Sequence, residues 1–325
     1  MTLQEKLRAG VLGHAVGDAL GVPVEFSHRE QLHQQPVIGM RSYGTYDVPA
    51  GSWSDDTSMT LAAVESLSRR GVIDYGDLMN NYRRWLEEAE FTPEHRVFDV
   101  GRATQRALLR YQQGTEPLDC GGRQERDNGN GSLMRMLPFV FYLYVQQDAR
   151  LAADESLRTI RALSSLTHAH PISCMACGIY TLLAGELLQE HEPREALKLA
   201  MQQAEEAYAH WPEYQQARIA YDRLFSPGFT EVLDSRIKSS GYVVDTLEAA
   251  IWSLCTTHSY KSCVLRAVNL GEDTDTAAAI AGGLAGIFYG MEAIPGEWLQ
   301  TLLRREYMEE LCEGFYQRIK KSALA

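Results

Sequence analysis

The stretch "GEDTDTAAAIAGGLAGIFYG" (residues 271–290) decides how this chain folds. Asp273, Asp275 and Thr276 crowd the start of a helix, and Gly290 stops it. Between them, residues 277–286 are nearly all alanine or glycine, so another backbone can approach closely. A helix packed that tightly is central, and its N-terminal acids lie near other core elements. A second stretch has the same chemistry: "GSWSDDTSMTLAAVES" (51–66) places Ser54, Asp55, Asp56 and Thr57 at another helix start. Each start taken alone has a plain reading, a side-chain cap with acids favoured by the positive helix end. Taken together they pose a charge problem. If the two starts meet, four carboxylates share a small volume. Two unit charges 4 Å apart repel by about 4 kcal/mol at an effective dielectric of 20, while a helix dipole returns only roughly 0.3–1 kcal/mol.

A divalent cation resolves that repulsion. The donors are all hard oxygens, which favours Mg²⁺, Mn²⁺ or Ca²⁺ over zinc. Four carboxylates with Ser54 and Thr276 exceed what one Mg²⁺ takes from protein, so the pattern predicts two ions with bridging aspartates. Such binuclear sites activate water and orient oxygen-rich substrates.

Three further stretches carry chemistry. "RDNGNGSLMRMLPFVF" (126–141) is a glycine-rich loop running toward an apolar helix, where backbone N–H groups can converge on an anion; it also reads as an ordinary capped turn. "SLTHAHPISCMACG" (165–178) places His168 and His170 before a helix opened by Pro171. Cys174 and Cys177 form one C-x-x-C inside its apolar run and read as core residues rather than zinc ligands; His168 either satisfies a local backbone group or touches a ligand. "LRAGVLGHAVGDALGVPVEF" (7–26) repeats glycine at 13, 17 and 21, a spacing for close helix packing, and carries Asp18 and Glu25 in an otherwise small, apolar setting.

Amphipathic windows recur along the whole chain: Leu61 and Val64, then Leu78, Tyr82 and Trp85, all at helical spacing. Alternating runs with hairpin turns are absent. The expectation is one all-α domain over residues 1–325; a division near 205–230 is conceivable but has no compositional support. The net charge of −12 argues against a nucleic-acid partner. No apolar stretch is expected to reach the roughly 18 residues of a membrane span, and "MTLQEKLRAG" lacks a signal-peptide pattern. Six cysteines scattered through 325 residues suit reduced thiols in a cytoplasm.

In order along the chain, "GHAVGDALGVPVEF", "GSWSDDTSM", "NGNGSLMRMLP", "THAHP", "GYVVDTLEAAIWS" and "GEDTDTAAAIAGGLAG" resemble the ADP-ribosylglycohydrolase family. The resemblance implies an all-α orthogonal bundle around two divalent cations, Mg²⁺ or Mn²⁺. It implies that Ser54, Asp55 and Asp56 form one ligand triplet, with serine where many members have threonine, and that Asp273, Asp275 and Thr276 form the other. Glu25 matches an acid that handles metal or water. Asn130, Gly131 and Ser132 match a loop that cradles diphosphate and ribose, His168 a histidine on ADP-ribose, and Tyr242 an aromatic near the nucleotide. Asp127 stands about where arginine-specific members have a catalytic aspartate, although the preceding "CGGRQER" departs from the pattern.

The expected reaction is metal-dependent removal of ADP-ribose from modified protein side chains, with arginine first. Asp127 or Glu25 serves as the acid–base group, and the aspartates around the metals, Asp56 among them, stabilise charge on the sugar. The expected partners are an ADP-ribosylated protein and ADP-ribose as product. Two other readings stay open: another conjugate such as ADP-ribosylserine or O-acetyl-ADP-ribose, and neutralisation of an ADP-ribosylating toxin or cognate transferase by hydrolysis or occlusion.

Overall fold

The structure, a computed structural model, describes residues 1–322. These residues contain α1 (Leu3–Gly21), α2 (Arg29–Gln34), α3 (Asp55–Arg70), α4 (Tyr75–Glu88), α5 (Arg102–Gln112), α6 (Leu137–Gln146), α7 (Asp154–Ser165), α8 (Pro171–Leu188), α9 (Pro193–Tyr208), α10 (Pro212–Ile219), α11 (Val243–Cys255), α12 (Tyr260–Val268), α13 (Thr274–Tyr289), α14 (Gly296–Thr301) and α15 (Arg305–Ser322). Among the described residues there is no β-strand, only isolated backbone bridges joining Gly122 to His168 and Gly129 to Tyr242. The all-α expectation therefore holds.

The centre is the pairing of α1 with α13, the most extensive helix contact in the molecule. Its cause is the small-residue seam. A Cβ on Gly17 would overlap the carbonyl oxygen of Ala278, and one on Gly21 would overlap the backbone of Asp275. The axes therefore approach closer than side chains normally permit. Tyr260 on α12 locks the seam by donating to the Gly13 carbonyl at 2.7 Å, and Thr274 donates to the Gly21 carbonyl at 2.8 Å. Both helices are buried along nearly their whole length, which suits helices apolar on every face.

α1 starts at a capping box: Thr2 Oγ1 accepts from the Glu5 amide and the Glu5 carboxylate accepts from the Thr2 amide. It ends in a 3₁₀ turn, Val22–Val24, containing Pro23. Glu25 follows at once. Its segment is clamped to the approach of α13, because Phe26 N donates to Glu272 O at 2.6 Å and Glu272 N to Ser27 O at 2.8 Å.

One sequence expectation needs correction. α8 is long and apolar enough, by length and composition, to cross a membrane. Here 89% of it is buried inside the bundle, packed on α7, α9, α10 and α11. Cys174 and Cys177 lie on it as buried core thiols, as expected. The glycine-rich loop also differs slightly from expectation: it passes through turns over 131–135 before α6 starts at Leu137, so neither Asn130 nor Ser132 caps that helix.

Candidate metal and active centre

The first ligand segment is built by two helices rather than one. Ser54 is the N-cap of α3, its Oγ accepting from the Asp56 amide at 3.3 Å. Asp18, on α1, completes the cap from outside. Its Oδ1 accepts from Ser54 N at 2.9 Å, and its Oδ2 accepts from Thr57 N at 3.0 Å and Thr57 Oγ1 at 2.6 Å. The α1–α13 seam delivers the second segment to the same place. Thr276 Oγ1 donates to Asp56 Oδ2 at 3.2 Å, and Ser54 Oγ donates to that same oxygen at 3.0 Å. The two acidic helix starts do meet.

Carboxylate oxygens of Asp18, Asp56 and Asp275 lie within 4.8 Å of one another, and so do those of Glu25, Asp99 and Asp275. Asp275 belongs to both groups. Asp55 and Asp273 stand at the edges: Asp55 lies beside Asp99, and Asp273 Oδ2 accepts from Asn130 Nδ2 at 2.9 Å.

Burial dominates the electrostatics and raises every one of these acids. Asp18 and Asp99 are pushed up to about 6 and Glu25 to about 9; Asp55, Asp56 and Asp275 lie well above the usual range, with neighbouring carboxylates adding to the desolvation. No lysine or arginine is among the leading influences on them. Four oxygens, Glu25 Oε2, Asp56 Oδ1, Asp273 Oδ1 and Asp275 Oδ2, are buried without a hydrogen-bond donor. Orphaned, closely spaced, all-oxygen acceptors with no cationic side chain are what a hard divalent ion requires, so the residues fit one.

Asp99 and Tyr46 escaped the sequence reading. Asp99 sits in the loop before α5 with φ +50, a backbone conformation that few non-glycine residues adopt. Tyr46 stands beside Glu25 and Asp99, its hydroxyl lowering both carboxyls, and its ring packs on Phe98 with centroids 4.8 Å apart. The available signal was an acid framed by Phe98 and Val100 in "RVFDVG", an apolar setting that a solvated loop acid does not need.

The glycine-rich loop lies against this centre. Asn130 Nδ2 bridges Thr246 Oγ1 and Asp273, and Asn130 N donates to Gly241 O at 3.2 Å. Gly129 pairs with Tyr242, which is 37% exposed at the rim. His168 is held beside the loop by the Gly122 bridge, and a Cβ on Gly131 would come within 3.0 Å of its ring. Ser132 differs from expectation: its side chain is fully buried, accepting from Ser164 Oγ at 2.9 Å and touching Cys177, so its hydroxyl serves the interior. Asp127 differs too. Oδ1 accepts from Arg106 at 2.6 Å and Oδ2 from the Gln124 amide at 3.0 Å, and it is in neither carboxylate group. It anchors a turn.

Comparison with known proteins agrees with this geometry. Residues 1–324 match the family model for ADP-ribosylglycohydrolase. The ADP-ribosylarginine hydrolase Tri1 of Pseudomonas putida (strain GB-1) is 31% identical over 97% of this chain and 78% of its own length. The ADP-ribosyl-dinitrogen reductase glycohydrolase of Rhodospirillum rubrum is 31% identical over 93% of this chain and 91% of its own. A solved ADP-ribosylglycohydrolase-related protein complex superposes with a TM-score of 0.79 at 33% identity, covering 98% of this chain and 99% of that one. The chain belongs to the ADP-ribosylglycohydrolase family and is a glycohydrolase enzyme acting on ADP-ribosyl groups.

Proposed function

We propose that the enzyme cleaves the N-glycosidic bond between ADP-ribose and a modified arginine side chain of a protein, using two divalent cations, Mg²⁺ or Mn²⁺. The observation that carries this reading is Asp275, common to two carboxylate groups whose oxygens lack donors. Arginine is favoured because the Pseudomonas putida and Serratia proteamaculans relatives are both named ADP-ribosylarginine hydrolases. Six buried free cysteines suit a cytoplasmic setting.

Ser54, Asp55, Asp56, Asp273, Asp275 and Thr276 would hold the ions, with Glu25 and Asp99 closing the far side and Asp18 orienting the first segment. When bound, the ions supply Lewis acidity to ribose hydroxyls and to water. Asn130 and the backbone at Gly131 face the diphosphate, His168 backs it, and Tyr242 borders the nucleotide. Glu25 and Asp99 divide the proton work. In the ion-free protein Glu25 is raised to about 9 and Asp99 to about 6, so of the two Glu25 holds its proton the more tightly and is assigned the donor, Asp99 the acceptor. As the C1″–N bond breaks, its electron pair goes to the guanidine nitrogen, which takes a proton from Glu25. Water bonds to C1″ and passes a proton to Asp99. The surrounding carboxylates stabilise the positive charge that develops on the sugar. Asp127, with both oxygens engaged, yields its expected acid–base role to Asp99.

The test is release of ADP-ribose from an ADP-ribosylarginine protein in the presence of Mg²⁺ or Mn²⁺, beside ADP-ribosylserine protein and O-acetyl-ADP-ribose. Faster turnover of either alternative would replace arginine. Protection against an ADP-ribosylating toxin by a hydrolysis-dead Asp275→Asn variant would point to occlusion.

A further inference from the structure

Arg135 is a charged group near the site that neither the ions nor the acid–base pair uses. It is fully buried. A buried guanidinium is costly unless paired, yet among the described residues its partners contain no carboxylate. It donates to the Gly131 carbonyl, to Thr167 Oγ1 at 2.8 Å and to Leu163 O at 3.4 Å, and it stacks 5.0 Å from the Tyr82 ring. Its contacts therefore go to the back of the glycine loop and to the residue before His168.

The protons along this path can be counted. Thr167 Oγ1 lies 2.8 Å from His168 Nδ1. A guanidinium only donates, so Thr167 Oγ1 accepts from Arg135. Thr167 is fully buried and its hydroxyl has one proton to place. Nδ1 is the remaining acceptor within reach; an Nδ1–H would strand that hydroxyl proton. The imidazole proton therefore sits on Nε2. Burial and the Arg135 charge keep the ring neutral, at about 3. Among the described residues Nε2 makes no hydrogen bond, and it faces the loop, 3.5 Å from where a Cβ on Gly129 or Gly131 would stand. The other charged pair beside His168, Asp127 with Arg106, neutralises itself.

We propose that Arg135 is a positioning residue which, through Thr167, fixes His168 as an Nε2–H donor toward an anionic ligand oxygen at the glycine loop, and that the bound anion is the missing counter-charge of Arg135. The relay stands on the protein's own hydrogen bonds; identifying the anion as the diphosphate of ADP-ribose rests on the function proposed above.

Two arms test it separately. In ligand-free, ¹⁵N-labelled protein, long-range ¹H–¹⁵N spectra with His168 assigned through contacts to Thr167 should show an unprotonated Nδ1 and a protonated Nε2. A proton on Nδ1 overturns the relay whatever the substrate. In the second arm, Thr167→Val keeps the shape and removes the hydroxyl, and Thr167→Ser keeps the hydroxyl. ADP-ribose binding should weaken about tenfold in the first, the scale of one lost hydrogen bond to a charged group, and recover in the second. Inorganic pyrophosphate should follow the same order. Equal binding by the two variants overturns the proposal. If wild type binds pyrophosphate but not ADP-ribose, the function reading fails while the relay stands.

Discussion

The Thr276 hydroxyl donates to Asp56 Oδ2 at 3.2 Å, joining residues 220 positions apart at the starts of two helices. Without that meeting, Ser54–Asp56 and Asp273–Thr276 would be two separate caps. With it, they enclose carboxylates that the protein alone cannot neutralise. The shared member is Asp275, and its removal should do more damage than that of a ligand serving one ion. Asp275→Asn should lower hydrolysis by more than the roughly 100-fold typical of outer-shell changes and reduce the Mn²⁺ stoichiometry below two, measured by calorimetry. Retention of two ions with near-normal turnover would sink the shared-carboxylate reading.

Stability should depend on pH with a definite sign. Asp18, Asp99 and Glu25 hold protons more tightly folded, at about 6, 6 and 9, than at their ordinary values of 3.8, 3.8 and 4.5. Each raised group stabilises the fold below its ordinary value, and that contribution is lost as pH rises through its folded value. Buried His14 and His168, lowered to about 4 and 3, act in the opposite sense below their ordinary value of 6.5, so metal-free protein should lose melting temperature from about pH 7 through pH 9, where Glu25 alone of these groups titrates. An ion bound to the native state adds stability and binds the deprotonated form best. The melting-temperature gap between Mn²⁺-loaded and metal-free protein should widen from pH 5 to pH 8; a constant gap would refute the account.

The α1–α13 seam makes a purely steric prediction. Gly17→Ala places a methyl against the Ala278 carbonyl. Overpacking of this kind costs about 1–3 kcal/mol, readable in urea unfolding. Because α1 carries Asp18 and α13 carries Asp275, the same change should weaken Mn²⁺ binding. Gly296→Ala is the control: nothing stands within 4 Å of its added Cβ, so stability should stay within about 0.5 kcal/mol.

What could be read from sequence follows from how each residue is encoded. Glycines 13, 17 and 21 and the alanine-glycine run of α13 announce a close helix pair, because small side chains at helical spacing have few other uses. The paired S-D-D-T and D-T-D-T starts announce an acidic cluster, because together they pose a charge problem that neither poses alone. Asp99 and Tyr46 do not, because they sit in loops whose course is set by tertiary contacts such as Tyr46 on Phe98. Asp127, three residues from Asn130, has its oxygens engaged by Arg106 and the Gln124 amide, contacts that no local pattern encodes. Ser132 shows the same limit, since no local pattern tells whether a loop hydroxyl faces a ligand or Ser164.

Tyr46 gives the sharpest test of the acid–base assignment. Its hydroxyl lowers both Glu25 and Asp99 against the burial that raises them. Tyr46→Phe removes that hydroxyl and leaves the ring on Phe98. Both pKa values should rise. If Asp99 must be ionised to take a proton from water, the ascending limb of kcat/KM against pH should move to higher pH, and turnover at pH 6 should fall more than turnover at pH 8. Asp99→Asn, which cannot accept the proton, should lower kcat and flatten that limb. Glu25→Gln should leave the ascending limb in place and abolish the descending one, since its proton is the one donated to the leaving guanidine. A Tyr46→Phe limb moving to lower pH, or an intact ascending limb in Asp99→Asn, would transfer the proton work to other residues.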